Sequence, residues 1–203
     1  ALTTTAFNNR LNKASLAIRN VLLMPDVIGV EEVENLATLQ AIADKVNTDA
    51  GIGTTYEAFL QEGNDIGGID VGFLVKTQAN GLPRISVNSV TQYNKAETFT
   101  DPDSNSPALL NDRPPLVLRA SVGPVGGIYS FTVIANHLRS LGGVDDLTSA
   151  HTRVKRQKQA ESLATLIHSF ETVGDPNRVA PYDDNILSLG DYNSFEFNDG
   201  YVD

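Results

Sequence analysis

What most constrains this chain is the order of its hydrophobic periods. Segments with a helical repeat stand near both ends. Between them, residues 56–135 carry short apolar runs broken by turn-forming clusters. Residues 7–23 place Phe7, Leu11, Ala14, Ile18, Val21 and Leu22 on one helical face, and Pro25-Asp26 stops the pattern. Residues 27–30 are a short apolar run that reads as a buried strand. A second helix is expected over 36–46, with Leu36, Leu39, Ile42, Ala43 and Val46 inward and Asn35 as its N-cap.

Strand patterns follow. Residues 56–60 and 69–76 read as a hairpin, 84–93 as a further strand, and 116–122 with 128–135 as a second hairpin about a Gly-Pro-Val-Gly-Gly turn. Residues 99–115, rich in Asp, Pro, Asn and Ser, read as a long loop. A third helix is expected over 152–170, with Ala160, Leu163, Ala164 and Ile167 inward, and a last short strand over 186–189 ends at Gly190. Helix, strand, helix, a run of hairpins, then helix and strand is the order of a layered α/β domain with mixed sheets, not of a repeating βαβ array. No linker divides it, and 203 residues suffice for one domain with a substantial core.

Composition narrows the function classes. The chain has no cysteine, which excludes disulfides, zinc-thiolate sites and thiol catalysis. No apolar run reaches the roughly 18 residues of a membrane span, and no basic-then-apolar signal opens the sequence. A net charge of −10 argues against general affinity for nucleic acid. It does not argue against a nuclease, for which a small cationic patch beside a metal suffices.

Three polar groups sit where strands end. Glu31-Glu32 follows the first strand, where a carboxylate holds a divalent cation through oxygen or simply forms a solvated acidic loop. Asn136-His137-Leu138 ends the strand over 128–135; an imidazole there donates to a phosphate oxygen or a leaving group, unless it is a packed or surface histidine. His151 and His168 fall on the third helix and read as structural or solvent-facing. Gly190-Asp191-Tyr192-Asn193 lets Asp191 orient or deprotonate water and Asn193 hydrogen-bond a developing oxyanion, although Asp-x-Asn is also a common turn. Arg153, Lys155, Arg156 and Lys158 crowd the start of the third helix against its dipole. They are either a solvated face or an electropositive rim that draws in a phosphate-bearing substrate.

Six segments in order carry a resemblance. PDVIGVEEVEN resembles the Glu motif of the endonuclease/exonuclease/phosphatase superfamily, the DNase I-like fold, and GIDVGFLVK its following hairpin strand. NDRPPLVLRA is similar to the entry into the second sheet in secreted bacterial members. FTVIANHLRS resembles the His motif, RQKQAESLATLI the Arg-x-x-Gln-Ala-x-x-Leu helix, and ILSLGDYNSF the Gly-Asp-x-Asn motif, with Tyr192 where Phe is usual.

The resemblance implies a four-layer αββα sandwich of two mixed sheets flanked by helices. It implies hydrolysis of phosphodiester bonds with Mg2+ or Mn2+, Ca2+ also suiting the same oxygen donors. Glu32 would ligate the metal, with Glu31 where the family usually has Gln. His137 would contact the scissile phosphate, Asp191 would position or activate water, and Asn193 would stabilise the transition state. Arg139, Arg153 and Arg156 are the candidate substrate contacts.

The implied protein is an extracellular endonuclease or exonuclease, secreted or periplasmic, with nucleic acid as its substrate. The alternatives are a phosphoesterase on a small molecule or lipid headgroup, and a non-catalytic binding module on the same scaffold. The family opens with a strand carrying a metal-site Asn and closes with one carrying Ser-Asp-His. This chain begins at the first helix and stops at Tyr201-Val202-Asp203. Residues 1–203 therefore read as one such domain, incomplete at both ends, for which weak or no turnover is the expectation.

Overall fold

The computed structural model describes residues 3–123, 128–171 and 185–194. Helix α1 (Thr4–Leu16) begins where the Thr3 side chain accepts a hydrogen bond from the Ala6 amide at 3.2 Å. It runs into a π-helical turn, Ala17–Val21, and the chain leaves through Leu23 and Met24, both at positive φ. Strand β1 spans Val27–Val33. Helix α2 (Leu36–Ala50) is capped as expected, the Asn35 side chain accepting from the Thr38 amide at 2.8 Å. Then come β2 (Thr55–Leu60), β3 (Asp70–Ala79), β4 (Leu82–Pro83), β5 (Ile85–Gln92), β6 (Thr98–Asp101), β7 (Ser106–Leu109), β8 (Leu116–Val122) and β9 (Tyr129–His137). Helix α3 (His151–Glu171) and strand β10 (Ile186–Asp191) complete the described elements.

Two four-stranded sheets face one another. In the first, β3 lies between β1 and β2, with β4 also paired to β3, and all described pairings are antiparallel. The second runs β10-β9-β8-β5 and is mixed, because β10 pairs parallel to β9. Three apolar layers hold the sandwich together. Val71, Phe73 and Val75 of β3 meet Leu116, Leu118, Ala120, Val133 and Ala135 between the sheets. Leu74 and Tyr56 pack outward against Leu39, Ala43 and Val46 of α2 and Ile18 of the π-turn. Val117 and Ile134 pack outward against Leu163, Leu166 and Phe170 of α3. Strand β3 is buried on both faces, so it reads as a continuous apolar run rather than an alternating one. The result is the expected αββα sandwich.

Several element-level expectations need correction. Residues 99–115 are not one loop: β6 and β7 pair as a small hairpin, which polar turn residues concealed. Val21 and Leu22 are exposed, because the wider π-turn rotates them off the apolar face of α1. Leu36 is exposed at the first turn of α2. On α3, Ala160 and Ala164 face solvent; the buried face in its first half is instead Thr152, Lys155, Arg156 and Gln159, polar side chains held by hydrogen bonds to neighbouring segments. No described helix is long and apolar enough to cross a membrane.

Candidate active site

Three strand ends carry the site: β1, β9 and β10 all run beyond their apolar runs into the polar residues that follow. The parallel ladder sets Asp191 beside His137 and Gly190 beside Asn136. A side chain at Gly190 is excluded. Its φ is +136°, and a Cβ there would lie 1.9 Å from the Asn136 carbonyl oxygen. Across the gap, Gly29 of β1 faces Leu189 of β10, so close that a Cβ at Gly29 would sit 2.1 Å from the leucine Cδ1.

Strand β1 reaches the site through a bulge. Its register against β3 shifts between Val30 and Val33, and Glu32 within that interval has φ +56°. A non-glycine residue in the left-handed region is strained, and such strain is concentrated at functional positions. The bulge divides the two carboxylates. Glu31 accepts a hydrogen bond from the Asp191 amide. Glu32 is exposed and takes no hydrogen bond or ion pair among the described residues. A cleft of about 310 Å³, lined in part by Phe7, Arg10, Leu11 and Ile42, opens beside it. Burial pushes the Glu31 carboxyl above its usual range; the Asp191 amide opposes this, and the charges of Asp191 and Glu32 add to it.

The turn after β10 closes on the end of β9. The Asp191 carboxylate accepts from the Asn193 amide at 2.7 Å, and the Asp191 carbonyl accepts from the Leu138 amide at 3.0 Å. Asn193, at φ +49°, donates from Nδ2 to the Leu138 carbonyl at 2.9 Å. His137 is 6% exposed, and its Nδ1 has no hydrogen-bond partner among the described residues. Burial, then the charge of Arg113, holds its pKa below the ordinary imidazole range, with Asp191 and Glu32 pulling the other way. These surroundings favour the neutral imidazole, which has one N–H to donate.

Glu31, Glu32, His137, Asp191 and Asn193 thus gather at one end of the sandwich. Among the described residues, no group of three His, Asp or Glu side chains is arranged to hold a metal ion by itself. The donor chemistry still fits a hard, largely hydrated cation. Magnesium keeps several waters and takes one or two carboxylates, and Glu32 and Asp191 supply exposed carboxylate oxygens beside the raised Glu31.

The arginines divide. Arg153 donates to the carbonyls of Val144, Asp146 and Ser149 at 2.7–3.0 Å, and Arg156 donates to the Arg139 carbonyl at 2.6 Å. Lys155 pairs with Asp112 at 2.8 Å and Lys158 with Glu161 at 2.7 Å. Of the two readings of this cluster, neither a solvated face nor an electropositive rim describes Arg153, Lys155 and Arg156: main-chain carbonyls and a carboxylate of the protein engage their charges. Arg139 differs, since no hydrogen bond or ion pair to its guanidinium is found among the described residues.

Arg113 was not anticipated as a site residue. Its guanidinium is buried, pairs with Asp65 at 2.6 Å, and donates to the carbonyls of His137 (3.3 Å) and Leu138 (3.2 Å). Its signal in the sequence is its place in the Arg-Pro-Pro-Leu segment, where two prolines separate a charged residue from a buried strand.

No family profile matches the chain, and no curated protein matches it. Solved structures do. A humanized D. rerio TDP2 is 16% identical over 96% of this chain and 63% of its own, with a TM-score of 0.51. A functionally unknown conserved protein from Enterococcus faecalis is 16% identical over 95% of this chain and 62% of its own, TM-score 0.53. SmcL is 15% identical over 95% of this chain and 59% of its own, TM-score 0.53. The chain spans less than two thirds of each. At these identities the likeness is one of fold.

Proposed function

We propose that this chain, which shares the fold of the solved structures it resembles, belongs to the endonuclease/exonuclease/phosphatase superfamily and is a divalent-cation-dependent hydrolase of phosphodiester bonds. One observation carries the reading. Carboxylates from β1 and β10, a neutral imidazole from β9 and an amide from the turn after β10 meet at one end of the sandwich. Glu32, with Asp191 nearby, would hold Mg2+ or Mn2+; when bound, the cation neutralises phosphate charge and assists the leaving oxygen.

The protein's own groups supply the rest. His137 donates its N–H to a non-bridging phosphate oxygen. Asp191, already fixed by the Asn193 amide, orients the attacking water. Asn193 spends one N–H on Leu138, and its second remains for an oxygen that gains charge in the transition state. Arg139 meets a flanking phosphate.

Nucleic acid is the proposed substrate, and a secreted or periplasmic protein the proposed setting, on the strength of the Arg-Pro-Pro-Leu segment. A small-molecule or lipid-headgroup phosphoester is the second reading. The net charge of −10 and the internal use of Arg153 and Arg156 favour it, since both limit the cationic surface that a polymer would follow. The deciding experiment incubates the full-length protein and its Glu32→Ala variant with plasmid DNA, bis(4-nitrophenyl) phosphate and phosphocholine lipids, with Mg2+ or EDTA. Mg2+-dependent cleavage lost in the variant supports the hydrolase. No cleavage of any substrate above the variant overturns it, and activity confined to DNA excludes the second reading.

A further inference from the structure

We propose that Arg156 and Gln159 of α3 are positioning residues that set the main chain of residues 137–139, and through it the His137 imidazole and Arg139. This rests on the hydrolase reading for its catalytic consequence, though not for its geometry.

The β9–β10 ladder ends at His137, and Leu138 and Arg139 beyond it have no regular ladder to hold them, yet the described main-chain groups of residues 137–139 are engaged almost without gaps. The His137 carbonyl accepts from Arg113, and the Leu138 carbonyl from Arg113 and Asn193. The Leu138 amide donates to the Asp191 carbonyl. The last links come from α3: the Arg139 carbonyl accepts from Arg156 Nη1 at 2.6 Å, and the Arg139 amide donates to Gln159 Oε1 at 2.8 Å.

Arg156 and Gln159 lie three residues apart, so one face of the helix presents both. Gln159 is itself tethered, donating from Nε2 to the Leu110 carbonyl at 2.9 Å. The Lys155–Asp112 ion pair fastens the same turn of α3 to the segment that carries Arg113. Helix, segment and arginine therefore form one rigid frame around residues 137–139.

Burying these side chains is an expensive way merely to pack a helix. Gln159 is 3% exposed and Arg156 8%, whereas apolar residues of similar volume would fill the space without desolvating an amide or a charge. What the polar pair adds is direction. It fixes the peptide plane of Arg139, one residue beyond the Leu138 amide that Asp191 holds. A catalytic group on a strand end needs such support, because a misplacement of about 1 Å can cost about 100-fold in rate.

The test compares Gln159→Met, which loses both hydrogen bonds, with Gln159→Glu, which keeps an acceptor for the Arg139 amide and loses the donor to Leu110. Hydrolysis of bis(4-nitrophenyl) phosphate is followed in the full-length protein with Mg2+. Amide exchange at Arg139 and the ring resonances of His137 are followed by NMR with EDTA. Gln159→Met is expected to lower kcat about 10- to 100-fold with KM within about 2-fold, to speed Arg139 exchange and to shift the His137 ring. Gln159→Glu is expected to stay within about 3-fold of the parent kcat, with Arg139 still protected. Equal losses in the two variants, or an unmoved His137 ring in Gln159→Met, would overturn the proposal. If the parent protein cleaves nothing, the hydrolase reading falls, and the exchange and ring shifts still decide the clamp.

Discussion

The Glu31 carboxylate on β1 accepts a hydrogen bond from the main-chain amide of Asp191 on β10, tying the two sheets together at their polar end. Its neighbour Glu32, turned outward by the bulge at φ +56°, is left free of protein partners among the described residues. Adjacent carboxylates therefore have separate tasks, one holding the sheets in register and the other available to a cation.

That division predicts unequal mutants. On the proposed reading Glu32→Gln removes a charge that would meet the cation, and it is expected to lower Mg2+-dependent kcat at least 100-fold, with unfolding midpoints unchanged. Glu31→Gln keeps an oxygen for the Asp191 amide and relieves repulsion from Asp191 and Glu32, so a fall of about 10-fold or less is expected. Mn2+ binding followed by electron paramagnetic resonance should weaken strongly in the first variant and mildly in the second. The reverse order would assign the cation to Glu31.

Arg113 lowers the pKa of His137 by its charge, second to burial. In Arg113→Met the imidazole should therefore keep its proton to a higher pH, as an NMR titration in EDTA would show. The sign for stability follows. A histidine whose folded pKa is depressed stabilises the fold above its unfolded pKa, and that contribution is lost as pH falls through the ordinary imidazole range toward the folded value. The variant should lose less of its stability over that acid interval than the parent does. Its overall stability should nevertheless drop by about 3 kcal/mol, because Asp65 and two carbonyls lose a buried partner.

Much of this was legible in the sequence. Strands and helices with clear apolar repeats, such as β3, β8 and α2, stand where the pattern puts them, and Asn35 caps α2. What the pattern understates is where strands end. Glu31, Glu32, Asn136, His137, Gly190 and Asp191 belong to strands, yet they break the apolar run, because at this end of the sandwich the ladder continues while the core does not. The role of α3 was hidden for a related reason. A row of Arg, Lys and Gln on a helix resembles a wet surface in one dimension. The neighbouring carbonyls of residues 139, 144, 146 and 149, invisible in the sequence pattern, draw Arg153 and Arg156 toward the protein. Arg113 was legible as part of a motif but not as a partner of His137, which lies far from it in sequence.

Asp70, at the start of β3, offers a test outside the site. It is 3% exposed, and burial raises its carboxyl pKa, the charges of Glu62 and Asp65 adding to this while the Gly63 amide works against it. An acid whose folded pKa is raised contributes its stability below the unfolded pKa and loses it as pH rises through the folded value. The ionised form is therefore a burden at neutral pH. Asp70→Asn retains an oxygen for the Gly63 amide, which donates at 2.7 Å. It should stabilise the fold at pH 7 by on the order of 1 kcal/mol. Urea unfolding should show that gain shrinking to nothing once pH reaches the ordinary carboxylate range.

Gly190 is the most sequence-restricted position of the site. Two independent constraints act on it: a φ of +136°, which L side chains rarely adopt, and the Asn136 carbonyl oxygen 1.9 Å from where a Cβ would stand. The obstacle is backbone of the paired strand, so no side chain can rotate away to relieve it. Gly190→Ala must either push β10 off β9 or flatten φ, and both displace Asp191, the next residue. The expected cost is about 3 kcal/mol of stability, read as a lower urea midpoint. Asp191 is hydrogen-bonded to both Leu138 and Glu31, so the damage should spread to the opposite sheet. Amide exchange at Leu138 and Asp191 should quicken together, while amides in α2 keep their protection relative to global unfolding. A variant of parental stability with unchanged exchange at Asp191 would show that the β9–β10 ladder does not need glycine there.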